Sequence, residues 1–304
     1  MKKIYLNILR FSVGIILLLF LFYKVGVKEV YISITNLNLI YILPMLFFYI
    51  FIFLVEAYNQ KILTDKLKKI PFKKFMKYHM LSWSVGMFVP GKIGQFSMVQ
   101  LLKKEGISLG RGLAAVLLDK LTTLLTLFIL TALSLLLFFE LQFALKIIAL
   151  IAAAGIIFSF LIFHSGSRKL VKRFILRKHA EKFEGFSSTM KEYAGIHKDA
   201  LISNFLITFL KWGISAAMVF FLFLSFNYPV DYIKIILIMP AGVLVSFIPI
   251  SISGIGTREA TAAFLYSAVG VAASVVLSVY LLNLAMNYLL AIACTVIFMH
   301  EFGK

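Results

Sequence analysis

Long apolar runs separated by short polar connections dominate the chain. Seven of them fall near residues 9–23, 39–57, 112–139, 143–163, 202–226, 232–250 and 271–298. Several reach or exceed the roughly 20 residues that an α-helix needs to cross a bilayer. The pattern predicts an all-α integral membrane protein, a polytopic helix bundle forming one domain over residues 1–304. The start of the chain, with Lys2, Lys3 and Arg10 before an apolar run to Phe22, resembles a signal peptide. No small-x-small site follows in Tyr23-Lys24-Val25-Gly26, so an uncleaved first transmembrane helix is expected.

Two regions interrupt this pattern. Residues 78–104 hold two apolar arms, 78–89 and 93–102, parted by Pro90-Gly91-Lys92, and each arm is too short to span. In the second half, an arm ending Phe247-Ile248-Pro249 leads into Ile250-Ser251-Ile252-Ser253-Gly254-Ile255-Gly256-Thr257. A second arm (258–269) and a final long helix (271–298) follow.

Basic residues orient the chain. The 56–77 connection carries seven lysines against Glu56 and Asp65, and the 164–200 connection carries nine Lys or Arg. The connections near 24–38, 140–146 and 227–234 hold two, one and one. By the positive-inside rule the N-terminus and both rich connections are cytoplasmic. Lys77 precedes the first broken region and Lys103, Lys104 and Arg111 follow it. Both its ends are therefore cytoplasmic, which predicts a re-entrant hairpin. The second broken region would enter from outside, unless 232–250, with 19 apolar residues, spans alone. Phe88-Val89-Pro90 corresponds to Phe247-Ile248-Pro249, and Gly106-Ile107-Ser108 to Gly270-Val271-Ala272, a register in which Asp119 aligns with Asn283. Two hairpin-bearing units, 39–139 and 202–298, then form an inverted repeat, an arrangement whose interrupted helices mark a midplane binding site in transporters.

Composition narrows the partners. The chain is 62% hydrophobic and 14% charged, with mean hydropathy +0.98, against roughly 25% charged residues in soluble domains. A water-soluble globule is excluded. The net charge of +18 fits cytoplasmic connections and anionic lipid headgroups rather than nucleic acid. The single cysteine, Cys294, lies in an apolar run and is expected to be a small buried hydrophobe.

Candidate chemistry gathers at the breaks. Irregular backbone at membrane depth must be buried in protein or line a water-filled cavity. Lys92 lies inside the first break, and Arg258-Glu259 follow the second. Basic residues there are costly and usually face water or a partner. Helix N-termini starting at each break would add partial positive charge. Together these describe an anion site for phosphate. Snorkelling is the alternative for Lys92, an ion pair with Glu259 for Arg258, and small-residue helix packing for the breaks themselves. The candidate substrate-binding residues are Pro90, Gly91, Lys92, Gly94 and Gln95 at the first break. At the second they are Pro249, Ser251, Ser253, Gly254, Gly256, Arg258 and Glu259. Asp119, Lys120, Lys211 and Asn283 come from the long helices. Asn283 and Asn287 are one turn apart, and hydrogen bonding between helices is the alternative for them. The five histidines are dispersed and no P-loop or Gly-x-Ser-x-Gly occurs, so no catalytic residue, metal or cofactor is expected.

The stretch Phe88-Val89-Pro90-Gly91-Lys92-Ile93-Gly94-Gln95, then Gly106, the helix start from Ala114 to Lys120, and Phe247 through Ala260 resemble the membrane region of lysylphosphatidylglycerol synthases. This is the flippase-like part of multiple peptide resistance factor. The Pro, Ser/Gly run and Gly-x-Arg-Glu of the second break carry most of the resemblance. It implies flipping of a phosphate-bearing lipid across the cytoplasmic membrane: an aminoacyl-phosphatidylglycerol, another anionic phospholipid, or a polyprenyl-phosphate-linked substrate. The alternative is a membrane-embedded enzyme or enzyme subunit acting on lipid-linked aminoacyl or glycosyl substrates; a third is a scaffold for one. The implied partners are that lipid, with a homo-oligomer or a lipid-modifying enzyme as further possibilities. No soluble aminoacyltransferase domain is present, so lysyl transfer by this chain alone is not expected. Lys92 and Lys120 stand where relatives often carry Arg, which binds phosphate differently.

Overall fold

The computed structural model describes residues 2–163 and 184–303; most of the basic connection at 164–200 lies outside the described residues. Among them every regular element is helical. In chain order these are α1 (Lys2–Val25), α2 (Val27–Thr35), α3 (Ile42–Asp65), α4 (Phe72–Phe88), α5 (Met98–Lys104), α6 (Leu109–Phe138) and α7 (Leu141–Phe163). Then follow α8 (Phe186–Gly195), α9 (Lys198–Ser225), α10 (Tyr232–Val245), α11 (Thr257–Ala268), α12 (Ala273–Phe298) and α13 (His300–Gly303). Leu39–Asp65 and helices α6, α9 and α12 are long and apolar enough to cross a membrane.

The outer surface is the reverse of a soluble protein's. Leu43, Phe47, Ile50, Leu54 and Tyr58 of α3 are all exposed and recur at helical spacing, a stripe suited to hydrocarbon rather than water. The opposite side of the same helix buries Asn59 and Gln60. Glu56, expected in the connection 56–77, instead lies within α3, because the helix continues to Asp65. Glu56, Asn59 and Gln60 are spaced i, i+3 and i+4, so they share one face, and a face turned inward need not be apolar.

Helices α3 and α9 pair antiparallel. At one end Asn38 N donates to Ser225 O (2.6 Å) and Asn227 Nδ2 to Asn36 O (2.9 Å). At the other, Lys66 Nζ meets Asp199 Oδ2 at 2.7 Å. Each broken region folds back beside this pair. The first starts and ends at the Lys66 end: Tyr78 Oη donates to Glu105 Oε1 (2.6 Å) and Lys68 Nζ to Glu105 O (2.6 Å). The second starts and ends at the Ser225 end, where Lys234 Nζ donates to Val269 O (3.2 Å). The two fold-backs therefore approach from opposite ends of the α3–α9 pair. The run 232–250 is not one spanning helix. Helix α10 has 14 residues and contains Pro240; at 1.5 Å per residue it is about 21 Å long, short of the roughly 30 Å hydrocarbon core.

The arms of the fold-backs pack backbone to backbone. A Cβ on Gly94 would lie 2.5 Å from Val85 O, and one on Gly254, whose φ is +83°, would lie 2.4 Å from Ser246 Cβ. The breaks differ locally. The first is a 3-10 stretch, Pro90–Ser97, ahead of a short α5, so its second arm does not become α-helical until Met98. The second is a series of turns leading into α11. The expected matching helix N-termini are therefore not alike.

Candidate functional site

A partly open polar cavity of about 70 Å³ lies where α3, α4, the 3-10 stretch, α6, α9 and the end of α10 converge. Its charged lining is Glu56, His79, Lys92, Asp119, Lys120 and Lys211. These come from five different elements, of which only α6 supplies two, Asp119 and Lys120. The structure thus brings together Lys92, Gln95, Asp119, Lys120 and Lys211 of the sequence-derived set.

Two of the lysines are paired. Lys120 Nζ lies 3.0 Å from Asp119 Oδ2, and Lys211 Nζ lies 3.7 Å from Glu56 Oε1. Lys211 also sits over the Trp212 ring at 5.4 Å. Glu56 faces His79 Nε2 at 3.6 Å, and His79 Nδ1 bonds Gln60 Oε1 at 3.1 Å. Asp119 is anchored from behind by Asn204, whose Nδ2 donates to Asp119 Oδ1 (3.2 Å) and Asn59 O (3.1 Å). Thr122 Oγ1 donates to Asn204 Oδ1, and Asn59 Nδ2 to Thr208 Oγ1 (2.9 Å). Buried polar groups left unpaired are costly, so this network fixes both faces of the seam between α6 and α9.

Lys92 differs from the other two. It makes no ion pair or hydrogen bond among the described residues, and its Nζ lies 5.2 Å from the Phe247 ring centre. Its backbone is in the left-handed region, φ 57°, a strained state for a residue with a Cβ. The tips of the two breaks meet here: Ser253 Oγ also contacts Met87 S at 3.6 Å.

The rest of the second break stands apart from the cavity lining. Arg258 Nε pairs with Glu259 Oε1 (3.2 Å) and its guanidinium lies over Tyr280 at 5.5 Å. Glu259 is fully buried, and its Oε2 accepts from Gly256 N (2.7 Å), occupying the N-terminus of α11. Ser251 Oγ shares a hydrogen bond with Thr257 Oγ1 at 3.3 Å. Pro249 is exposed and Pro90 buried; Gly91 lies within the 3-10 stretch. Asn283 accepts from Asn287 Nδ2 through its main-chain O (2.7 Å), and Tyr49 Oη donates to Asn287 Oδ1 (3.3 Å). That is a tie between α12 and α3.

The sequence matches the family described as lysylphosphatidylglycerol synthase TM region over residues 7–294. The chain belongs to this family. The match includes both breaks and every charged residue of the cavity. A 91-residue stretch is also 30% identical to a UPF0104 membrane protein from Pyrococcus horikoshii, covering 30% of this chain and 27% of that relative. The chain is thus a multi-pass membrane protein of the lysylphosphatidylglycerol synthase TM region family.

Sequence reasoning missed Glu56, His79, Asn59, Gln60 and Asn204. The signal for the first group was present, since Glu56, Asn59 and Gln60 fall at helical spacing beside an apolar run. Asn204 likewise shares a face with Thr208 and Lys211 at i+4 and i+7, whereas the role of His79 shows only in the packing of α4 against α3.

Proposed function

We propose that the protein moves a phosphate-bearing lipid across the cytoplasmic membrane, with its N-terminus and basic connections on the cytoplasmic side. The observation that carries this reading is the convergence of Lys92, Lys120 and Lys211 on one cavity inside an apolar bundle. Cations at such depth are costly unless a partner or water meets them, and the family is that of a lipid-synthase membrane region. The two fold-backs are read as re-entrant hairpins from opposite faces, with the phosphate held where their tips meet. The lipid's chains would occupy an open apolar groove of about 370 Å³ between α6 and α9, lined by Leu118, Leu121, Leu125, Ile202 and Phe205. Thr122 lines this groove and bonds Asn204, which holds Asp119 of the cavity. The chain Thr122–Asn204–Asp119 thus links groove and cavity. At about 70 Å³ the cavity holds several waters, and in this reading the seam widens to admit a lipid headgroup.

Reconstitution in liposomes tests this. Fluorescent anionic phospholipid or polyprenyl phosphate should exchange between leaflets faster than in protein-free vesicles. Exchange no faster, with the protein folded, would overturn the reading, and chemical conversion of the lipid would favour an enzyme.

A further inference from the structure

Resting on that reading, we infer that Glu56 is an exchangeable counter-ion: the lipid phosphate takes its place on Lys211, and Glu56 reclaims that lysine when the phosphate leaves. The two carboxylates of the cavity are held very differently. Asp119 has both oxygens engaged, Oδ2 with Lys120 Nζ at 3.0 Å and Oδ1 with Asn204 Nδ2 at 3.2 Å, and 8% of its side chain is accessible. Glu56 lies between two basic groups and bonds neither. Its Oε1 is 3.7 Å from Lys211 Nζ and its Oε2 is 3.6 Å from His79 Nε2, both longer than a hydrogen bond. About a quarter of its side chain, 26%, is accessible at the cavity wall.

Lys211 depends on this loose partner. Glu56 is the carboxylate within 4 Å of its Nζ among the described residues, and the other neighbour is the Trp212 ring at 5.4 Å. A buried ammonium stripped of its counter-charge is strongly unfavourable, so Lys211 needs a negative group both with and without the lipid. A phosphate oxygen at ordinary hydrogen-bond distance gives Lys211 a charge-assisted bond that Glu56 does not make. Displacing Glu56 breaks no hydrogen bond, and its other oxygen keeps His79 as a neighbour. Displacing Asp119 would break two contacts and the tie to Asn204. When the phosphate departs, Glu56 returns and no buried cation is stranded. Glu56 therefore lowers affinity and speeds release, whereas a merely structural ion pair would do neither.

The experiment uses the full-length protein with phosphatidylglycerol labelled on an acyl chain, and diacylglycerol with the same label as the phosphate-free control. Binding is read in detergent as the ligand-induced rise in thermal midpoint, so a variant of reduced stability still reports. Leaflet exchange is read in liposomes. Glu56→Gln should bind phosphatidylglycerol about tenfold more tightly, a difference of about 1.4 kcal/mol, and exchange it more slowly than wild type. Glu56→Asp withdraws the carboxylate from Lys211 at unchanged net charge, and should show both effects to a smaller degree. Lys211→Gln in the Glu56→Gln background should erase the gain in affinity. Affinity or exchange unchanged in Glu56→Gln, an equal gain for diacylglycerol, or wild-type behaviour of Glu56→Asp would overturn the inference. Binding of phosphatidylglycerol by neither wild type nor the variants would overturn the transport reading together with it. Tighter, phosphate-dependent binding in both variants, with no leaflet exchange by wild type, would support the counter-ion role and overturn the transport reading alone.

Discussion

Lys92 Nζ lies 5.2 Å from the centre of the Phe247 ring, so a residue of the first break touches a residue of the second across the centre of the bundle. The contact places the only cavity lysine without a carboxylate at the junction of the two fold-backs. Because φ at Lys92 is 57°, the backbone there favours glycine. Lys92→Gly should raise the midpoint of thermal denaturation in detergent, by up to about 1 kcal/mol in stability. The same variant should lose binding of a phosphate-bearing lipid. Stability and binding measured on one preparation would separate strain from ligand contact.

Asn204 is fully buried and holds Asp119 Oδ1, Asn59 O and Thr122 Oγ1 at once. Asn204→Leu removes all three bonds while keeping the volume similar. A loss of about 1–3 kcal/mol is expected from the unsatisfied groups left behind. Cross-linking of cysteine pairs placed on α6 and α9 should weaken as the seam loosens. An unchanged denaturation midpoint would refute the role of this amide as the tie.

Gly254 has φ +83° and lies against Ser246. Gly254→Ala meets both a disfavoured backbone region and a steric overlap, and should destabilise by about 1–3 kcal/mol. Gly155, with nothing within 4 Å of its Cβ position, is the control: Gly155→Ala should shift the midpoint little, or slightly upward through helix propensity.

Arg258→Ala should act on folding rather than on lipid binding. Arg258 pairs with Glu259, which is fully buried, and removing one partner of such a pair costs about 3–5 kcal/mol. Lipid binding by whatever fraction remains folded should be unaffected. Restoration of stability by Glu259→Gln in the Arg258→Ala background would confirm the pairing.

Glu105 gives a pH prediction. Burial raises its carboxyl pKa, but hydrogen bonds from Lys74 and Tyr78 outweigh this and hold it below the ordinary carboxylate value. Its stabilising contribution is thus complete above the unfolded value of about 4.3 and is lost as pH falls through the lower folded value. Thermal midpoints measured from pH 7 to pH 3 should fall less steeply in Glu105→Gln than in wild type. The difference is expected to be under about 1 kcal/mol, because Lys74 is half exposed and the pair is screened.

The helical class, the positions of the long helices and the breaks at Pro90 and Pro249 were legible because hydrocarbon imposes length and apolarity on any segment that crosses it. Lys92, Lys120 and Lys211 were legible for the same reason, as charges that apolar surroundings make conspicuous. Arg258 was equally conspicuous, yet it ends in a local ion pair, because adjacency in sequence to Glu259 already supplied its counterion. Glu56 was assigned to a connection since the run of lysines beyond it looked like a loop. The helix runs on through Lys61 to Asp65, and helix ends at a membrane surface have no hydropathy signature of their own. His79 required knowledge of which helices touch, which single-chain pattern cannot supply, whereas Asn204 shares the helical spacing of Thr208 and Lys211.

Helix α1 rests on the second break through glycines. A Cβ on Gly256 would lie 2.5 Å from Gly14 O, and one on Gly14 would lie 3.0 Å from Ile255 O. The seam joins segments far apart in sequence, so α1 must wait in the lipid for a segment synthesised much later. Until then the turns at 251–256 lack one of their walls, and closing this seam brings an earlier-made part of the bundle against a later-made one.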